Sequence, residues 1–329
     1  MSITSKKILV TGAGGFVGSH LVETLLLKGY KIKCFVRYNS RNDFGLLSEI
    51  PTKLFSEVEI IRGDLRDYHA LYKSLQGVDI VFHLGALVAI PYSYKYPKDV
   101  IDTNIIGTFN VLNASKEHSI DKIIHTSTSE VYGTAVYVPI DENHPLQGQS
   151  PYSASKISAD KIAESFFYSY NLPVATIRPF NIYGPRQSLR AVIPTMITQA
   201  LSKDTINLGS LTPTRDFTFI TDTVEAFIKI ARNDKTIGKT YNIGSNKEIS
   251  IDDLAKKICT LTNPNCEIIQ EKIRMRPQNS EVERLRADNS IALKDLNWKP
   301  CISLEKGLRK TIHWIKTNIH KYGTKEFIL

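Results

Sequence analysis

Six short apolar runs, interleaved with stretches whose apolar residues recur at helical spacing, constrain this chain more than any other feature. The runs cover residues 7–11, 31–36, 58–61, 78–83, 122–127 and 174–178, and the helix-period segments lie at 17–28, 100–118 and 152–170. Continuous apolar runs of strand length read as strands buried on both faces. Alternation with helices then predicts an α/β fold, a Rossmann-like doubly wound parallel sheet covered on each side. Past residue 178 the rhythm breaks into loops punctuated by Pro and Gly, at 179–190 and 208–213, followed by a helix at 221–231 and a short strand at 240–243. A smaller α+β lobe is expected to start here. Only the tail, residues 322–329, reads as loosely held.

The bulk numbers agree with a soluble enzyme-sized protein. With 329 residues, 42% of them hydrophobic, the chain can bury a large core. Its longest nearly apolar stretch, 78–90, contains Asp79 and His83 and is too short to span a bilayer, and residues 1–9 lack a secretory apolar region. A cytoplasmic location with no membrane partner is the expectation. Cys34, Cys259, Cys266 and Cys301 have no metal-ligand spacing, so reduced structural thiols are expected and no metal is implied. The net charge of +9 is spread rather than striped, which argues against a nucleic-acid partner.

Ligands of doubly wound sheets bind beyond the carboxyl ends of the strands, so the segments at 12–18, 83–86, 128–130 and 179–183 should open onto one crevice. The first, Gly12-Ala13-Gly14-Gly15-Phe16-Val17-Gly18, follows a strand and opens a helix. Gly12, Gly15 and Gly18 permit a tight turn, and a pyrophosphate can then reach the N–H groups at the helix start, at Phe16 and Val17. The second strand ends at Arg37 without the carboxylate that would bind a ribose 2′-hydroxyl, and Arg41 follows. A guanidinium suits a 2′-phosphate, which favours NADP over NAD; a solvated basic loop is the plain alternative. Asp64, at the end of the third strand, could meet the adenine amine or simply cap a turn.

Tyr152 and Lys156 lie one helical turn apart and project from one side. Lysine beside a phenol favours tyrosinate, and bringing a phenol from pKa about 10 towards neutrality takes ~4 kcal/mol, which an ammonium and a nicotinamide charge in a dry cleft could supply. The phenolate would deprotonate a carbinol. Thr128, Ser129 and Glu130 follow an apolar strand and should crowd the same substrate, with Thr128 on the hydroxyl being oxidised. Once that carbon is a ketone the neighbouring C–H is acidic, and Glu130 is placed to remove its proton while Ser129 or the new carboxylic acid protonates a departing hydroxyl. That is β-elimination of water. A Ser-Glu pair after a strand is also a common turn or capping pair. His83 and His125 read as hydrogen-bonded core histidines.

These residues resemble the extended short-chain dehydrogenase/reductases: Thr11-Gly12-x-x-Gly15-x-x-Gly18, His83-Leu84-Gly85-Ala86, Tyr152-x-x-x-Lys156 and Arg178-Pro179-Phe180-Asn181-Ile182-Tyr183-Gly184-Pro185-Arg186. Thr128-Ser129-Glu130 looks like the triplet of GDP-mannose 4,6-dehydratases, where dTDP-glucose 4,6-dehydratases carry Thr-Asp-Glu. UDP-glucuronate decarboxylases share it, and many 4-epimerases lack the glutamate. The stretches 89–93, 191–194 and 210–217 resemble the 4,6-dehydratases that act on nucleotide-linked N-acetylglucosamine in legionaminic acid synthesis. The resemblance implies a nucleotide-sugar 4,6-dehydratase acting on a UDP- or GDP-linked N-acetylhexosamine, with a tightly held dinucleotide regenerated at each turnover, and a homodimer built on the helices at 99–118 and 152–170. A dinucleotide-binding sensor without turnover stays open as a different class. The resemblance further implies Leu65, Leu84 and Ala86 as dinucleotide contacts and Ser93, Asn181, Arg215 and Arg276 as substrate contacts. It also implies a dinucleotide-binding domain of residues 1–178 plus about 214–245, and a nucleotide-sugar domain of about 179–213 plus 246–329.

Overall fold

The computed structural model describes residues 6–322. Seven parallel strands form the main sheet: β1 Lys7–Thr11, β2 Lys31–Arg37, β3 Glu59–Gly63, β4 Ile80–His83, β5 Lys122–Thr126, β6 Val174–Pro179 and, later in the chain, β10 Thr240–Ile243. Their spatial order is β10-β6-β5-β4-β1-β2-β3. The chain winds outward from β1 in one direction and returns to wind outward in the other, so the reversal falls between β1 and β4. β1 pairs with β2 from Lys7 against Lys31 to Thr11 against Phe35, and with β4 from Ile8 against Ile80 to Thr11 against His83. All six expected strands are present, with ends displaced by one or two residues, as hydrogen-bonded ends usually are relative to apolar runs.

Apolar core lies on both faces of this sheet. Val10, Phe82, Ile124 and Ile177 pack on one side, against helices Phe16–Leu27 and Ile220–Arg232; Leu9, Val81, Ile123 and Val174 pack on the other. Because the central strands are covered on both faces, the sequence shows unbroken apolar runs rather than alternation. The remaining strands are small. β7 Asn181–Tyr183, β9 Thr214–Phe219 and β11 Glu248–Ser250 form one sheet in the order β11-β9-β7, and β8 Thr205–Leu208 pairs with β12 Glu267–Gln270. After β9 the chain returns to the main sheet through helix Ile220–Arg232 and β10.

One expected helix is not continuous. Residues 97–117 comprise helix Pro97–Ile101, a π turn Asp102–Ile106 and helix Gly107–Glu117. The widened turn has a cause in Asn104: its amide donates to Leu87 O at 3.0 Å and to Ser155 Oγ at 2.9 Å, and its Oδ1 accepts from Leu87 N at 2.7 Å. Helix Pro151–Tyr170 begins with a reciprocal cap, in which Ser150 and Ser153 each satisfy the other's backbone N–H, and with Pro151 in its first turn. Of the tail, Tyr322 is tied down by donation to Gln187 O at 3.0 Å and by edge contact with Trp314. The other tail positions lie outside the described residues. Among the described residues no helix is long and apolar enough to cross a membrane, and no group of three His, Cys, Asp or Glu side chains could hold a metal. Cys34, Cys259 and Cys266 are buried thiols and Cys301 is exposed.

Candidate active site

The glycine segment links β1 to helix Phe16–Leu27 as expected. Gly12 has φ +68°, and a Cβ there would stand 2.7 Å from Gly85 N, so the first glycine lets the loop after β4 approach the loop after β1. A Cβ on Gly18 would collide with Gly12 O, so the third lets the helix lie against the turn. Gly15 is the N-cap and no side chain caps this helix. Its first amides are therefore available to an anion, and a dinucleotide pyrophosphate fits this cradle. Leu84 and Ala86 lie half-buried just beyond β4, and Leu65 is buried after β3. Thr11 Oγ1 joins the two loops by accepting from Gly85 N at 3.1 Å.

Arg37 ends β2 and is exposed. Asp64 lies close enough for Arg37 to lower its pKa, but Arg66 is its main partner: Nε reaches Oδ1 at 2.9 Å and Nη2 reaches Oδ2 at 2.6 Å. The capping reading of Asp64 also holds locally, because Oδ1 accepts from Arg66 N at 2.9 Å.

Tyr152 and Lys156 are both buried, and Lys156 Nζ donates to Thr126 O at 2.7 Å. Thr128 lies near enough to the Tyr152 phenol to lower its pKa, and it caps the turn Ser129–Tyr132 by accepting from Glu130 N at 3.2 Å. The capping reading of this triplet therefore holds: it is a capped turn. The charge of Glu130 is felt at Tyr152, so the carboxylate lies within electrostatic range of the phenol.

The surroundings of Tyr152 and Lys156 act on both groups. Burial drives the Tyr152 pKa upward, Glu130 adds to the rise, and Thr128 offsets only part of it. Lys156 is pushed down to about 8 by its own burial, with Asp160 opposing. Desolvation is the largest effect on the phenol, and it disfavours tyrosinate until positive charge enters the cleft.

The expected substrate contacts separate into two groups. Arg215 is buried, Nη2 meets Glu281 Oε1 at 3.1 Å, and Glu130 also reaches it electrostatically. Arg276 Nη1 stands 3.6 Å from the same Glu281 oxygen, beyond hydrogen-bonding range, and is buried without a hydrogen-bond partner. Asn181 Oδ1 is likewise buried and unpartnered. Arg215 and Arg276 thus share Glu281, while Arg276 Nη1 and Asn181 Oδ1 keep bonding capacity unspent. Ser93 stands apart: it is wholly buried and donates to Ile90 O at 2.7 Å.

Sequence reasoning missed the layer behind these groups. His83 bonds Thr11 Oγ1 at 2.8 Å and Thr108 Oγ1 at 3.1 Å, and His125 Nε2 bonds Asp160 Oδ1 at 3.0 Å. Both histidines are buried as expected; His83 is bonded through both ring nitrogens, whereas His125 is bonded through Nε2 and its Nδ1 is buried without a partner. Asp160 and Ser280 were not anticipated. Ser280 meets Tyr94 OH at 2.6 Å and donates to Gln149 O at 2.6 Å, which ties the segment containing Glu281 to the rim of the crevice. The capping serine of the Tyr-Lys helix was the one local signal in that region.

A doubly wound sheet with a glycine cradle at its reversal point and a Tyr-x-x-x-Lys helix facing it defines an extended short-chain dehydrogenase/reductase. Within that class, the chain belongs to the family described as GDP-mannose 4,6 dehydratase, which matches residues 9–311. It is 32% identical over 332 aligned residues to dTDP-D-glucose 4,6-dehydratase of Homo sapiens, covering 98% of this chain and 93% of that one. It is also 32% identical, over 94% of this chain and 98% of the other, to UDP-N-acetyl-alpha-D-glucosaminuronate decarboxylase of Bacillus cytotoxicus. Among solved structures it resembles DesIV, a dTDP-glucose 4,6-dehydratase of Streptomyces venezuelae determined with NAD and TYD bound. There the TM-score is 0.84, with 26% identity and coverage of 96% and 98% of the two chains.

Proposed function

We propose that this protein is a nucleotide-sugar 4,6-dehydratase, and the observation that carries the reading is Glu130 within electrostatic range of the buried Tyr152, one helical turn from Lys156. When bound in the glycine cradle, a nicotinamide dinucleotide supplies the hydride acceptor and, later in the cycle, the hydride donor. The protein's own groups perform the proton chemistry. Tyr152, with Lys156 a turn below it and Thr128 near its phenol, takes the proton of the C4 hydroxyl. Glu130 takes the proton at C5, and Ser129 or the resulting carboxylic acid protonates the hydroxyl leaving C6. Asn181, Arg215 and Arg276 bind the diphosphate. A closed crevice keeps the unsaturated sugar from water between steps.

The substrate proposed is a UDP- or GDP-linked N-acetylglucosamine, as in legionaminic acid synthesis; its support is the likeness of residues 89–93, 191–194 and 210–217 to that subfamily. NADP is the proposed dinucleotide, because Arg37 rather than a carboxylate ends β2. We further propose the two-domain division set out above and a homodimer through helices Gly107–Glu117 and Pro151–Tyr170, where Phe109 and Tyr170 are exposed. The decarboxylase relative favours a second reading, loss of carbon dioxide from a nucleotide-linked uronate.

Purified protein incubated without added dinucleotide tests these together. UDP- or GDP-N-acetylglucosamine should lose one water and give a 4-keto-6-deoxy sugar by mass spectrometry, and acid-denatured protein should release NADP. Carbon dioxide from a uronate instead supports the second reading, inversion at C4 supports an epimerase, and an unchanged sugar supports a sensor. Released NAD overturns the role given to Arg37.

A further inference from the structure

Behind the crevice, one guanidinium connects the two elements that carry the proton-transfer groups. Arg178, on β6, donates from Nε and Nη2 to Asp160 Oδ2 at 3.2 and 3.0 Å, and from Nη1 to Tyr132 OH at 2.9 Å. Asp160 is one helical turn beyond Lys156. The same carboxylate accepts from Ser127 Oγ at 2.8 Å and from His125 Nε2, so it fastens the helix to the end of β5 as well. Tyr132 closes the turn that contains Glu130, and its hydroxyl donates to Asn242 Oδ1 at 2.7 Å on β10. All three side chains are buried.

The chemistry of this cluster makes it rigid. Burial would raise Asp160, yet the His125 bond and the charges of Arg178, His125 and Lys156 hold it at about 2, so it is a carboxylate at neutral pH. Its negative charge is paired with a planar fork whose N–H directions are fixed. With Nη1 on the phenol and the Nε edge on the carboxylate, the angle between the 129–132 turn and the helix at 151–170 is set by one flat group. The Arg178 guanidinium also stands over the Tyr132 ring at 5.1 Å, which restricts sliding of the turn.

We propose that Arg178, acting through Asp160 and Tyr132, is a positioning residue that registers Glu130 against Tyr152, so that the two address adjacent carbons of one sugar ring. This rests on the dehydratase reading. Oxidation at C4 needs only Tyr152 and Lys156 with Thr128, whereas removal of the C5 proton needs Glu130 at the correct offset from them. Loosening the link should slow the second step selectively, and a misplacement of about 1 Å costs on the order of 100-fold.

Tyr132→Phe removes one hydroxyl and Arg178→Lys keeps the charge without the fork; both are compared with wild type on the 4,6-dehydratase substrate. The expected result is kcat lowered about tenfold or more with KM within about threefold. Deuterium at C5 should give a larger kinetic isotope effect than in wild type, and deuterium at C4 a smaller one. Equal slowing of both steps, unchanged isotope effects, or a lowered melting temperature with normal kcat would overturn the proposal and leave Arg178 a fold-holding residue. If Arg178→Lys does not fold, Tyr132→Phe decides alone. Wild type that releases no water overturns the dehydratase reading and this inference with it, a result distinct from any of the variant outcomes.

Discussion

Tyr152 shows how far a residue's chemistry depends on what surrounds it. Its place one turn before Lys156 suggests an acidic phenol, but burial makes the lone protein's phenol harder to ionise, and the lysine is itself pushed down to about 8. The sign follows from desolvation acting against whichever form is charged. Tyrosinate absorbance of the dinucleotide-free protein, compared with Tyr152→Phe, should show no difference below about pH 10. A titration near neutrality in the free protein would contradict this account. Adding dinucleotide should move the Tyr152 component to lower pH. The residues legible in sequence were those whose spacing is itself the signal, namely the glycines, the Tyr-Lys pair and the Thr-Ser-Glu triplet. Asp160 and Arg178 carried no such mark, since an acid on a helix and an arginine at a strand end are ordinary until the fold brings them together.

Elements were legible where burial repeats along the chain. The six strands and the first and last long helices of the larger layer follow from apolar runs and period. The break at Asp102–Ile106 did not, because a π turn leaves the apolar spacing nearly intact and its cause, Asn104 reaching Leu87 and Ser155, lies across space. The opening turn is legible for a physical reason that can be tested. Gly18→Ala places a methyl against Gly12 O in the tightest backbone contact of the cradle, where neither backbone can yield cheaply. It should cost about 1–3 kcal/mol of stability in denaturant unfolding and abolish copurifying dinucleotide. A variant with wild-type stability and full dinucleotide content would show that the turn has room to spare. Helices Val192–Ser202, Ile251–Thr262 and Leu304–Thr317 went unread although Ser250 and Ser303 cap two of them, since attention to strand rhythm passes over a lobe built from short strands.

At the scale of the whole molecule, the site exists only because segments far apart in sequence meet. The phenol and lysine come from the helix at 151–170, the carboxylate from the turn after β5, and the arginines from β9 and from residue 276. The central claim is that Glu130 and Tyr152 act on neighbouring carbons of one bound hexose, in two separable steps. Glu130→Gln isolates them, because the amide keeps the shape of the side chain and cannot take a proton. The direct measurement is a single turnover of this variant with nucleotide-linked N-acetylglucosamine, following the near-ultraviolet absorbance of reduced dinucleotide alongside the mass of the sugar. The account predicts that the dinucleotide becomes reduced and stays so while the sugar loses no water. Full-rate loss of water, or no reduction at all, would contradict it.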